Sequence, residues 1–298
     1  MTKDIADGIK TQISTLVLSR EATTELALTA FLAGGHVLFT GPTGLGKTRW
    51  AQAFAGTLGL GYNRVRFTED NHPGEITHTL DCEGRRGAMY ANIFHGDDIG
   101  SAHSKVHTAL MDAIEPGTQS ITVDGSTCSL PEPFFVIASS QEIHTLPEAL
   151  TDRFMMMLTA NYPGVAAEKH ILQMYHEKTA NQEFTPVCTP EDIAQARQEV
   201  QAVAVEDAIF NYIVSIVETT RRVGAVQTGV SPRGSIALLL AAKAYAAIKG
   251  RDYVTADDVR SLALPVLRHR VKLKRDAVLE GMQPDHIIES IIGKQTEG

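Results

Sequence analysis

Residues 41–48 read Gly41-Pro42-Thr43-Gly44-Leu45-Gly46-Lys47-Thr48, which fills all eight positions of a phosphate-binding loop. Its glycines let backbone N–H groups wrap phosphate oxygens, and the start of a following helix adds a favourable field. Lys47 is expected to reach the β- and γ-phosphates of a nucleotide, and Thr48 to hold Mg²⁺. Further on, IFHGDDIG (93–100) is an apolar run that ends on two adjacent aspartates. Asp97 is placed to orient Mg²⁺ through Thr48; its plain alternative is a cap for the next helix. Asp98 is placed to align the attacking water; its plain alternative is a solvated acid. An aspartate stops ~1.5 Å short of a glutamate. A displacement on that scale lowers a rate on the order of 100-fold.

Two arginines join the set. Arg153, in LTDRFMMML, precedes an apolar run, with a pair to Asp152 as the plain alternative. Arg233 sits in the first turn of a helix, where a cation opposes the dipole by roughly 0.3–1 kcal/mol. A bound phosphate would reverse that sign, and a solvated arginine is the alternative.

These residues need a scaffold. Residues 1–35 carry apolar positions at helical spacing (Ile9, Ile13, Leu16, Val17, then Leu26, Leu28, Leu32). Val37–Thr40 predicts a short strand before the loop, and TRWAQAFAGTL a helix after it. RVRFTED, NIFHGDD and PFFVIASS predict three more strands, with a helix over Ser101–Glu115. Alternating strands and helices predict an α/β fold with a parallel sheet between helices. SITVDGSTCSL predicts a hairpin turning at Asp124-Gly125. Beyond about residue 165 helix starts replace strands: Thr189-Pro190-Glu191-Asp192, Ser231-Pro232-Arg233 and Thr255-Ala256-Asp257-Asp258. The reading is an αβ nucleotide-binding domain over 1–165 and a smaller α-helical lid over 166–298.

The formal charge of −8 and pI of about 5.8 disfavour a nucleic-acid partner. The basic stretch RHRVKLKR (268–275) reads as a solvated face. Cys82, Cys128 and Cys188 are too scattered for a disulfide framework or a Cys-x-x-Cys site. No apolar run reaches the ~20 residues of a membrane span, and the N-terminus lacks the apolar core of a signal peptide. A cytoplasmic location follows as the expectation. His95 reads as a core histidine on the same strand face as Asp97. His103 and His107 lie one helical turn apart with no acidic third metal ligand at matching spacing.

In order along the chain, the phosphate loop, ANIFHGDD, PFFVIAS, LPEALTDRF, SPRGSIALLLAAKAYAAIKGRDYVTADDV and PVLRHRV resemble the MoxR group of AAA+ ATPases, from about residue 25 to 292. The resemblance implies an ATP- and Mg²⁺-dependent ATPase of chaperone-like remodelling or maturation function. It implies a ring, usually a hexamer, and a partner carrying a von Willebrand factor A domain. Asp97 and Asp98 then take the Mg²⁺ and water-activating positions. Arg153 resembles a finger reaching a neighbour's γ-phosphate, and Arg233 a sensor in the lid. The departures cluster: Asp98 replaces glutamate, Gly100-Ser101 replaces Asn-Arg, and Gln141 stands at the sensor asparagine. Binding is therefore expected to persist and hydrolysis to be weak, slow or dependent on a partner. The alternative is a nucleotide-holding ring or scaffold with little turnover; a nucleic-acid motor is a more distant third.

Overall fold

The structure, a computed structural model, describes residues 1–17, 20–68, 87–115, 117, 120–123, 126–177 and 184–294. Five strands form an all-parallel sheet: β1 (Val37–Thr40), β2 (Tyr62–Arg66), β3 (Ile93–Asp97), β6 (Phe135–Ser140) and β7 (Met156–Thr159). Their order is β2-β3-β6-β1-β7. β4 (Ser120–Val123) and β5 (Ser126–Ser129) pair as the expected hairpin, whose turn, Asp124-Gly125, lies outside the described residues.

Strand β1 carries the phosphate loop and lies between β6 and β7. The chain leaves β1 toward one edge and returns to its other side with β7. In an open α/β sheet such a switch point leaves a crevice at the carboxyl ends of the strands. The ends of β1, β3 and β6 accordingly bring Thr40, Asp97 and Ser140 to one rim.

Alternation along the strands sorts two cores. Val37, Phe39, Ile93, Phe135, Ile137 and Leu158 face helices α1 (Thr2–Leu16), α2 (Glu21–Leu32) and α3 (Lys47–Thr57). Leu38, Phe94, Val136 and Ala138 face the other way, against Val106 and Leu110 of α4 (Ser104–Ala113). Each such buried side chain is worth roughly 1.5–3 kcal/mol relative to exposure, so the sheet is a rigid base for its rim.

After the short α5 (Glu148–Thr151), seven further helices among the described residues make the lid side: α6 (Val165–His176), α7 (Pro190–Ala202), α8 (Asp207–Arg222), α9 (Pro232–Ile248), α10 (Ala256–Leu267), α11 (Arg275–Leu279) and α12 (Pro284–Lys294). Thr189 and Thr255 form full capping boxes with Asp192 and Asp258. Ser231 is a cap by position only: its Oγ is buried without a partner among the described residues. A ribbon of β8 (Val226–Thr228) and β9 (Lys272–Leu273) interrupts the helices, too short to show a strand pattern. The first core runs on into the lid through Leu238, Ala241, Val259, Leu262 and Val266.

One expectation is corrected here. RHRVKLKR is not a solvated face, because the Arg270 side chain is 2% exposed. It donates to the carbonyls of Asp152 (2.9 Å), Phe154 (2.7 Å) and Met155 (3.2 Å), and to the Asp152 carboxylate at 3.1 Å. Burial lowers its pKa to about 10, which leaves it cationic at neutral pH. Arg270 thus pins the lid to the turn after α5. Cys128 and Cys188 form no disulfide among the described residues, and Cys82 lies outside them. Among the described residues no helix is long and apolar enough to cross a membrane.

Candidate active site

The phosphate loop is a strand-to-helix turn that only glycine allows at its ends. Gly41 has φ 122°, and a Cβ there would meet the Ala160 carbonyl oxygen at 2.6 Å. Gly46, φ 74°, caps α3 in the left-handed region. Lys47 Nζ donates to the carbonyls of Gly41 (2.9 Å) and Pro42 (3.0 Å), so its ammonium lies across the mouth of the loop. Burial lowers its pKa against the pull of Asp97 and Asp98. Thr48 follows in the first turn of α3, half-buried. Behind the loop, Arg20 is 9% exposed and its Nη2 donates to the Leu45 carbonyl at 2.7 Å.

Asp97 ends β3 in a polar cluster. Its Oδ1 accepts from Ser139 Oγ at 2.7 Å and its Oδ2 from Arg64 Nη2 at 2.5 Å. Burial pushes this carboxyl up, but the bonds from Arg64 and Ser139 outweigh it and hold its pKa below the usual value. It does not cap the next helix: His103 does, through Nδ1 and the Lys105 N–H. His107 is buried on the Ile99 carbonyl at 2.7 Å, so each histidine of this pair has a structural partner. His95 is fully buried as expected, with Nδ1 2.8 Å from the Tyr62 hydroxyl and burial lowering its pKa to about 4.

Asp98 adopts φ 60°, ψ 51°, left-handed backbone that a non-glycine residue seldom takes. Its N–H donates to Ser139 Oγ at 3.1 Å, so one hydroxyl ties both aspartates to β6. Two residues on, a Cβ at Gly100 would lie 2.7 Å from Thr145 Oγ1 and 2.9 Å from Ser140 Oγ. A side chain there would have to displace the Thr145 and Ser140 hydroxyls, and glycine offers none to reach toward a phosphate. Gln141 follows β6 on the same rim and is exposed.

A cleft of about 710 Å³ opens beside the loop, between β7 and the lid. Leu45, Arg20 and Arg49 line one side; Tyr162, Leu264 and Arg268 line others. Its size, apolar walls and three arginines suit a nucleotide. Arg268 is held by Asp285 and donates to Thr159 Oγ1 at 2.8 Å.

Arg153 and Arg233 do not line this cleft. Arg153 does not pair with Asp152, which Arg270 occupies. Instead Arg153 and Arg233 meet at Glu115, each with Nη2 2.9 Å from a different carboxylate oxygen. Arg20, Arg64, Glu115, Ser139 and Arg268 were not singled out from sequence. Only Arg20 had a local signal, a cation just before an apolar helix; the rest are joined by long-range contacts.

Comparison with known proteins agrees with this geometry. The description "ATPase family associated with various cellular activities (AAA)" matches residues 36–156, and "AAA lid domain" matches 218–291. The uncharacterized protein YeaC of Bacillus subtilis is 40% identical over 279 residues, covering 90% of this chain and 87% of that one. Chaperone MoxR1 of Mycobacterium tuberculosis is 29% identical over 302 residues, covering 94% and 79%. The crystal structure of a candidate ATPase from Cytophaga hutchinsonii superposes with a TM-score of 0.90 at 26% identity, covering 98% of this chain and 94% of that one. A parallel sheet with its phosphate loop at the switch point, an AAA lid and relatives named MoxR along nearly the whole chain place this protein in the MoxR group of AAA+ ATPases.

Proposed function

We propose that the chain is a slow ATP hydrolase that works as a ring, usually a hexamer, to remodel or mature a partner protein complex. The observation that carries the ring is the position of the two arginines. Arg153 and Arg233 lie together on Glu115, away from the chain's own cleft. Neither lines the cleft beside the phosphate loop and the two lie together, which supports their acting as a pair on a nucleotide held by a second copy. Arg233 is read with Arg153 in that role rather than as a lid residue over its own γ-phosphate.

Within one chain, Gly41–Thr48 and Arg20 cradle the phosphates of ATP, and Lys47 exchanges its loop carbonyls for phosphate oxygens. Thr48 and Asp97 offer hard oxygen donors, and an ionised Asp97 suits Mg²⁺. Bound there, Mg²⁺ would supply charge neutralisation at the phosphates. Asp98 accepts a hydrogen bond from the attacking water and orients it. It does so from a short side chain on left-handed backbone, with Gly100 offering no support and Gln141 exposed. Positioning supplies most of the catalysis in phosphoryl transfer, so slow turnover follows.

Family membership supports a partner with a von Willebrand factor A domain and a client complex. The net charge of −8 disfavours nucleic acid, and a cytoplasmic location fits the sequence. A second reading, a nucleotide-holding scaffold with almost no turnover, is favoured by the same Asp98 geometry. The test is native mass with and without ATP–Mg²⁺, beside phosphate release. A ring formed with ATP and slow release supports the first reading. A ring without release supports the second, and a strict monomer at high concentration with ATP–Mg²⁺ refutes both.

A further inference from the structure

Glu115 lies just past the end of α4, and its carboxylate is shared by guanidinium groups from two distant parts of the chain. Arg153 Nη2 is 2.9 Å from Oε2, and Arg233 Nη2 is 2.9 Å from Oε1. Arg153 follows α5 and Arg233 opens α9, so three elements converge on one carboxylate. The Glu115 side chain is 32% exposed and that of Arg233 43%. The cluster is partly exposed, with Arg153 its most covered member at 21%.

Two guanidinium groups this close repel each other unless an anion lies between them. Arg233 donates a hydrogen bond to Oε1, and Arg153 lies against Oε2 as an ion pair, so the carboxylate holds the two cations side by side. The neighbouring acid, Asp152, cannot do this, because Arg270 holds it. Arg153 Nε is buried without an acceptor among the described residues, so its guanidinium keeps donor capacity that the carboxylate does not use.

We propose that Glu115 is a positioning residue that holds Arg153 and Arg233 as one two-pronged group, which engages the γ-phosphate of a nucleotide bound by a second copy. The proposal rests on the ring reading above. Glu115 touches no substrate; it acts through the two arginines. Its removal leaves two mutually repelling side chains that splay, so the neighbouring phosphate meets one arginine at a time.

The test uses the full chain with ATP–Mg²⁺ and follows two readouts, kcat for phosphate release and the ATP concentration that half-assembles the oligomer. The variants are Glu115→Gln, Arg153→Ala with Arg233→Ala, and the triple combination. Glu115→Gln is expected to lower kcat at least tenfold, or, where parental release is too slow to measure, to raise the half-assembly concentration at least fivefold. Affinity of the dissociated chain for ATP is expected to stay at the parental value. Adding Glu115→Gln to the double arginine variant is expected to change nothing further, which a merely structural role would not produce. Should Glu115→Gln fail to fold, Glu115→Asp keeps the charge with a shorter reach and is expected to give a smaller loss of the same kind. A parental kcat and assembly in Glu115→Gln alongside impaired arginine variants overturns the proposal and leaves the ring reading standing. So does a faster Glu115→Gln, which would make the residue a brake, or a triple variant below the double. Arginine variants that match the parent in both readouts remove the ring reading and the proposal together.

Discussion

Lengthening Asp98 is the most direct probe of why hydrolysis is expected to be slow. Asp98→Glu moves the carboxylate outward by ~1.5 Å. If reach is the defect, recovering it can restore a rate on the order of 100-fold. The structure sets two limits on that gain. Asp98 has φ 60°, and left-handed backbone is harder for glutamate than for aspartate, whose short side chain bonds locally, by a penalty of about 1 kcal/mol. That penalty lowers Tm by about 2–4 °C for a chain of this size class. The second limit is Gly100, where a Cβ would lie 2.7 Å from Thr145 Oγ1; lengthening Asp98 does not restore a side chain there. The expected outcome is therefore a rise in kcat of roughly tenfold, short of the full reach term, with a slightly lower melting temperature and unchanged ATP affinity. Asp98→Asn is expected to abolish release and keep the nucleotide bound. The assays are steady-state phosphate release, calorimetry of ATP binding and thermal denaturation. A parental rate of tens per second (roughly a typical enzyme turnover), or one indifferent to Asp98→Asn, refutes the assignment of Asp98 to the water.

Three other perturbations test separate links. Lys47→Ala removes a charged contact worth about 1.5–3 kcal/mol and is expected to weaken ATP binding at least tenfold; unchanged affinity by calorimetry sinks the assigned loop. Arg64→Ala takes a cation off Asp97, a half-exposed pair worth about 0.2–1 kcal/mol, and is expected to lower the Mg²⁺ concentration for half-maximal nucleotide binding by up to about fivefold; an unchanged Mg²⁺ titration refutes the competition. His36 is buried, which lowers its pKa from 6.5 to about 3, and its Nδ1 accepts the Val136 N–H. The folded form refuses the proton that the unfolded chain takes, so this stability is complete above pH 6.5 and falls as pH drops toward 3, by about 2 kcal/mol at pH 5. His36→Gln is expected to flatten urea-measured stability between pH 7 and 5, and an equally steep profile in the variant counts against it.

How legible the molecule was depended on the range of each interaction. The phosphate loop spans eight residues whose types are dictated by local backbone and by the phosphate itself, so its reading needed no tertiary information. The capping boxes at Thr189 and Thr255 are equally local. Strand β7 went unassigned because Met156–Thr159 is four residues long and exists only through its register with Val37–Thr40. Arg270 looked solvated because its hydrogen-bond partners Asp152, Phe154 and Met155 lie more than a hundred positions away. Glu115 and Arg64 were passed over for the same reason: an acid past a helix end and an arginine on an edge strand are commonplace until their partners are known. Gly100 shows the converse. Its departure from the family pattern was visible in sequence, but only the approach of Thr145 and Ser140 explains it.

The segment 268–270 joins the two halves of the mechanism. Arg268 faces the nucleotide cleft, held by Asp285 and Thr159, while Arg270, two residues on, is buried on Asp152 beside Arg153. Charge-assisted hydrogen bonds contribute about 1.5–3 kcal/mol each when buried, and Arg270 makes them to the Asp152 carboxylate and to the backbone of Asp152, Phe154 and Met155. Separating the lid from the turn after α5 would break all of them at once and strand a buried cation. The soft part of the connection lies elsewhere, because α6 joins the αβ part to the lid and buries none of its residues. Flexing of α6 over the cleft would leave Arg270 on the turn after α5, beside Arg153. Arg268 on the cleft and Arg270 on the turn that carries Arg153 stand two residues apart, so the cleft and the arginine pair share one short covalent link.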